Sequence, residues 1–145
     1  MKSLIAAARV AATALTVGID HIGLTVANLE ASKGFFTECL GWHVFGENPA
    51  YPAAYVTDGY SKITLWQVAD VTAFAAFDRK NSVGLHHLAL KVQDRPALDS
   101  LFKRVSVYPG VQVEFSPELS GGGPRWHAMV REPGGTRLEL SFDPR

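Results

Sequence analysis

The feature that most constrains this chain is that it repeats itself. Asp20-His21-Ile22-Gly23-Leu24-Thr25-Val26 and His86-His87-Leu88-Ala89-Leu90-Lys91-Val92 share one pattern, an imidazole followed by apolar residues at every second position. Alternation of this kind marks a β-strand with one buried face. It places His21, Gly23 and Thr25 together on the opposite face, and His87, Ala89 and Lys91 likewise. The two histidines are therefore in equivalent phase.

The repetition extends beyond these two segments. Helices are predicted over Leu29 to Leu40 and over Arg95 to Val105, with Asn28 and Asp94 as N-caps and Pro96 in an early helical position. Gly41 stops the first helix, and Tyr108-Pro109-Gly110 turns the chain after the second. Strand-like runs then cover Ala54 to Thr57 and Ile63 to Val68 in the first half. In the second they cover Val111 to Phe115, Trp126 to Arg131 and Arg137 to Phe142. The predicted order is βαβββ twice, an α+β fold of two tandem modules, 18–70 and 84–143, within one domain spanning 18–143. The connection Ala69 to Val83 is expected to carry a short helix near Val71 to Phe77. Ser116 to Pro124, with its triplet Gly121-Gly122-Gly123, is expected to be a loop.

Composition narrows the partners. A chain of 145 residues buries one core, and 47% hydrophobic with 19% charged residues is a globular balance. Lys plus Arg and Asp plus Glu stand at 14 each, so no net field draws nucleic acid or an anionic membrane, and a small molecule is the expected partner. Cys39 is the only cysteine, so a metal held within one chain must use His and carboxylate; Cys39 itself reads as a small semi-buried helix residue. Residues 1–17 form an extension, either an Ala-rich helix or a signal-like segment. Arg9 interrupts its apolar run and favours the helix and a cytoplasmic protein, whereas a cleaved signal implies export. The run is too short to cross a bilayer as a helix.

In the last strand, Leu138, Leu140 and Phe142 share one face while Arg137, Glu139 and Ser141 share the other, so Glu139 points as the two histidines do. A carboxylate flanked by leucines is costly to bury without a cation or hydrogen-bond donors. Two imidazoles and one carboxylate satisfy a divalent first-row metal and leave positions open for water or substrate. The set suits Fe(II) in oxygenases and Zn(II) in hydrolytic enzymes alike.

The motifs Gly18-Ile-Asp-His21-Ile-Gly-Leu-Thr-Val, Gly84-Leu-His-His87-Leu-Ala-Leu and Arg131-Glu-Pro-Gly-Gly-Thr-Arg-Leu-Glu139-Leu resemble the vicinal oxygen chelate superfamily, which includes glyoxalase I, extradiol dioxygenases, fosfomycin-resistance enzymes and bleomycin-binding proteins. The resemblance covers about residues 18 to 143. It implies paired βαβββ modules whose sheets curve around a central cavity, with His21, His87 and Glu139 as ligands of one divalent ion (Fe, Mn, Zn, Ni or Co). It also implies a homodimer, with the site formed within one chain or across two. By the same resemblance Thr64 stands where glyoxalase I-like members carry a fourth, acidic ligand, and Met129 where extradiol enzymes place an acid–base tyrosine.

His127 shares the face of Met129 and is the candidate proton carrier beside Glu139. Trp66 shares the face of Thr64 and is placed either at the cavity, stacking on an unsaturated substrate, or in the core. Arg125 and Arg137 either bind a substrate carboxylate or are solvated charges at strand ends. Trp42 and Trp126 are expected in the core, His86 in a structural role and His43 at the surface. Two functions fit these residues: a metal-dependent lyase, isomerase or dioxygenase acting on a small oxygen-bearing substrate, or a metal-free protein that sequesters an aromatic compound.

Overall fold

The computed structural model of the chain describes residues 12–145. Two four-stranded mixed sheets realise the predicted duplication. In the first, β1 (Ile22–Val26), β2 (His43–Asn48), β3 (Ala53–Thr57) and β4 (Lys62–Gln67) lie in the order β1-β4-β3-β2. In the second, β5 (Leu88–Lys91), β6 (Gln112–Leu119), β7 (Trp126–Arg131) and β8 (Arg137–Phe142) lie in the order β5-β8-β7-β6. In both, the opening strand runs parallel to the closing strand and the remaining pairs are antiparallel.

The helices follow their caps. Helix α1 (Leu29–Gly34) starts where Asn28 Oδ1 accepts from the Ala31 N–H at 3.0 Å, and α2 (Arg95–Ser106) where Asp94 Oδ1 accepts from the Ala97 N–H at 2.8 Å. Instead of running on as α-helix to Leu40, α1 gives way to a π-helical turn, Phe35–Cys39, closed by the Leu40 N–H on the Phe35 carbonyl at 3.1 Å. The wider turn lets the consecutive rings of Phe35 and Phe36 both reach the core, edge to face at 5.7 Å.

One apolar core joins the modules. Leu24, Val26, Phe36 and Leu65 from the first half pack with Leu98, Val105, Leu138 and Leu140 from the second. Trp42 is buried edge-on against Phe36, Cys39 is buried, and half-buried Trp126 carries the Arg95 guanidinium at 3.5 Å from its ring centroid. A polar stitch complements the core. Glu132, almost fully buried, accepts from Ser32 Oγ at 2.8 Å and from the backbone N–H groups of Gly134 and Thr136 at 2.6 and 3.0 Å, while the Ala27 N–H bonds the Gly134 carbonyl at 3.0 Å. Gly134 leaves no room for a side chain, because an added Cβ would collide with Ser32 Oγ and come within 2.8 Å of Val26 Cβ. Gly134→Ala is therefore expected to cost about 2–3 kcal/mol of stability in urea unfolding.

Several expectations need correction. The connection after β4 has no helix at 71–77; it runs as turns, bends and chain without regular structure, with Val71 and Phe74 exposed. The proposed helix at the N-terminus falls mostly on residues 1–11, outside the described residues, and 12–17 have no regular structure. The predicted loop 116–124 begins as strand, because β6 continues to Leu119, and only then turns through a 3₁₀ segment over Ser120–Gly122. His43 is exposed as expected, but it opens β2, a strand that no alternation in the sequence marks. No described helix is long and apolar enough to cross a membrane.

Candidate metal centre

The two sheets carry the same geometry at the same register. Gly23 lies opposite Thr64 across β1 and β4, and Ala89 lies opposite Glu139 across β5 and β8. Thr64 and Glu139 are thus structural equivalents, and His21 and His87 each directly precede the opening strand of their module.

In the second sheet the pieces converge. Glu139 is 3% exposed, on the sheet face turned away from Leu138 and Leu140. Its Oε2 lies 3.0 Å from His87 Nε2, its Oε1 lies 2.8 Å from His127 Nδ1, and Arg125 Nη1 stands 3.5 Å from Oε1. Met129 is buried directly across from Glu139, and the His127 ring packs on Phe115 at 4.9 Å. Arg125 is anchored in turn by Ser120 Oγ at 2.9 Å. Alternation puts His127 with Met129, and the register that sets Met129 across from Glu139 brings the His127 ring to the same carboxylate.

In the first sheet, His21 lies beside a cavity of about 300 Å³ lined by Asp20, Phe45, Tyr55, Lys62 and Thr64. Asp20 Oδ1 lies 2.7 Å from His21 Nδ1, and this hydrogen bond holds the Asp20 carboxyl below the usual carboxylate range. A neutral His21 that donates from Nδ1 to Asp20 keeps its lone pair on Nε2, the tautomer that carboxylate-supported metal histidines adopt. Trp66 sits two residues along β4 from Thr64, its ring 4.7 Å from Tyr51 and 6.4 Å from Tyr55.

His87 and Glu139 carry donor types that suit a divalent ion. Ligands about 2.1 Å from one ion and about 90° apart stand about 3 Å from each other, which is the His87 Nε2 to Glu139 Oε2 separation. Within one chain, however, no group of three His, Cys, Asp or Glu among the described residues is arranged to hold an ion. His21 lies by the first sheet and the Glu139 cluster on the second.

Arg137 is neither solvated nor free. Only 8% of its side chain is exposed, and it grips Glu114 through Nε, 3.0 Å from each carboxylate oxygen, and Nη2, 2.8 Å from Oε2; its Nη1 stands 3.4 Å from His86 Nδ1. His86 in turn lies 2.8 Å from His87 through the two Nδ1 atoms, closer to the site than its phase in the strand implied. Glu114 is a further residue of this face that alternation could have found, because it follows Val113, the partner of core-facing Val130. A bulge between Val113 and Phe115 moves β6 from pairing Val113 with Val130 on the core face to pairing Phe115 with Met129 on the site face. The hydrogen bonds from Arg137, and secondarily Arg131, hold the Glu114 carboxyl below its ordinary range against the opposing effect of burial. A lowered folded pKa means that this stabilisation is complete above the unfolded value of about 4.3 and is lost as pH falls through the folded value. Urea unfolding from about pH 6 to 3 is expected to show a shallower acid loss in Glu114→Gln than in the parent.

Known proteins resemble this chain in sequence and in fold. The family model described as the Glyoxalase/Bleomycin resistance protein/Dioxygenase superfamily matches residues 18–140. A 2-epi-5-epi-valiolone epimerase from Actinomyces sp is 26% identical over 147 residues, covering 86% of this chain and 78% of its own. Among solved structures, a glyoxylase/bleomycin resistance protein/dioxygenase domain from Frankia sp. EAN1pec has a TM-score of 0.75 at 24% identity, covering 90% of this chain and 94% of its own. Lactoylglutathione lyase from Agrobacterium tumefaciens has a TM-score of 0.65 at 18% identity, covering 88% and 94%. The two structures share the fold.

Proposed function

Because the chain belongs to the glyoxalase/bleomycin resistance protein/dioxygenase superfamily, we propose that it is a metal-dependent enzyme acting on a small oxygen-bearing substrate, with each site assembled from two copies of the chain. His87 and Glu139 of one copy and His21 of the other would hold the divalent ion. The observation that carries this reading is the buried Glu139 carboxylate bracketed by His87 and His127, at the position that register equates with Thr64 in the His21 half. A bound ion supplies Lewis-acid polarisation of the substrate oxygens it chelates.

The chain's own groups define the rest. Glu139 Oε1 and His127 Nδ1 form a carboxylate–imidazole pair able to take up a proton and exchange it, and Arg125 steadies the negative charge of that oxygen. Met129 and Phe115 border the pair and keep water from it. Similarity to an epimerase favours proton transfer at a carbon beside a chelated oxygen, the lyase or isomerase branch, over cleavage by dioxygen.

Metal analysis of protein purified without chelator tests the proposal. About one Fe, Mn, Zn, Ni or Co ion per chain is expected, with affinity falling at least about tenfold in His87→Ala. Failure to take up any of the five would overturn it.

A second reading has its own support. Phe45, Tyr51, Tyr55 and Trp66 form an aromatic wall on the first sheet, suited to sequestering an aromatic compound without a metal. Quenching of Trp fluorescence by an aromatic ligand that persists with chelator and in His87→Ala would favour it, and loss of quenching under both conditions would eliminate it.

A further inference from the structure

We propose that Arg79, Arg131 and Arg137, gathered around Glu114, form a binding site for a single oxyanion, a carboxylate or phosphate group carried by the substrate. The inference deepens the functional reading above by assigning the substrate class, and it rests on that reading for the identity of the site.

Three guanidinium groups against one carboxylate leave a surplus of two positive charges. Glu114 cannot serve all three. Arg137 occupies both of its oxygens at 2.8–3.0 Å, Arg131 Nε reaches Oε1 at 3.3 Å, and Arg79 Nη1 comes only to 3.7 Å, too far for a hydrogen bond. Donors therefore remain on Arg131 and Arg79, whose side chains are 31% and 27% exposed. Partly desolvated guanidinium groups without a full complement of acceptors attract an oxyanion, and the planar fork suits carboxylate and phosphate alike.

The cluster is also held in place. Arg137 is buried on β8, the Arg131 guanidinium lies 5.5 Å over the Phe77 ring, and Arg79 is brought in by the connection between modules. Holding the charges before binding lowers the ordering cost of capturing an anion. A cavity of about 460 Å³, bounded by Phe74, Phe77 and Leu85, opens beside the cluster at Arg131, while Arg79, Arg137 and Glu114 lie outside its lining.

Position ties the cluster to Glu139. Arg137 lies two residues before it on the same face of β8, a spacing of about 7 Å. Arg131 pairs with Arg137 across β7 just as Met129 pairs with Glu139. A substrate chelated at Glu139 would thus meet this charge a few bonds away, so the substrate class is a small oxygen-bearing molecule with a carboxylate or phosphate substituent.

Calorimetric titration of the full-length protein with malonate and with inorganic phosphate tests this, both as purified and after chelator treatment. Saturable binding is expected for at least one, weakened tenfold or more in Arg131→Gln and in Arg79→Gln and unchanged in Arg145→Gln. The tighter of the two probes identifies the group. Absence of binding in the parent, or equal binding in all variants, would overturn the proposal. If Arg131→Gln does not fold, Arg79→Gln, on the connection rather than in a sheet, carries the test. Anion binding that survives chelator without any metal uptake would sink the metalloenzyme reading and leave this one standing, so the two failures are distinguishable.

Discussion

Glu139→Gln is expected to weaken divalent-metal binding by at least about 100-fold, and with it any metal-dependent activity, while leaving the fold intact. Removing a ligand should cost at least as much as removing a supporting partner, for which losses of about 10–100-fold are typical. Glutamine keeps the volume of a side chain that is 3% exposed and an oxygen for the His127 contact at Oε1. It removes the charge facing His87 Nε2, and a neutral amide is a poor ligand for a divalent ion. Titration with Zn(II) or Mn(II) beside a circular-dichroism melt separates the outcomes: lost affinity with a retained melt is expected, and retained affinity would remove Glu139 from the ligand set.

The largest expected effect on stability is elsewhere. Glu132→Ala should cost about 3–5 kcal/mol in urea unfolding. The carboxylate is 2% exposed, and its loss strands the Ser32 hydroxyl and the N–H groups of Gly134 and Thr136 in a space that closes the β7–β8 turn onto α1. Ser32 belongs to the first module and Glu132 to the second, so the lost bonds include one that ties the duplicated halves together. Ser32→Ala, which removes only one donor, should cost about 1–2 kcal/mol. Equal losses in the two variants would mean that the turn amides contribute nothing.

How much of this was legible in the sequence depended on periodicity. The paired opening strands and the closing strand were readable because apolar residues alternate in each, and both N-caps because Asn28 and Asp94 directly precede the helical runs. β2 escaped because His43, Val44 and Phe45 are all exposed, so its residues do not alternate. The bulge in β6 turned Phe115 to the site face, although simple alternation from Val113 would have put it on the core face. Arg79 lies in the irregular connection, where no period exists to place it. The separation of His21 from Glu139 was illegible for a different reason: alternation says which side of its own sheet a residue occupies, not which other sheet that side meets.

That separation makes subunit complementation the most direct test of a shared centre. His21→Ala and Glu139→Ala proteins are each expected to lack intact metal sites; denatured together in equal amounts and refolded, they should regain about a quarter of the parental sites. Half of randomly formed pairs are mixed, and each mixed pair contains one site with all its ligands. Recovery near one quarter is the predicted result. Recovery of none, with mixed pairs demonstrated by differential tagging, would contradict a centre assembled between two chains.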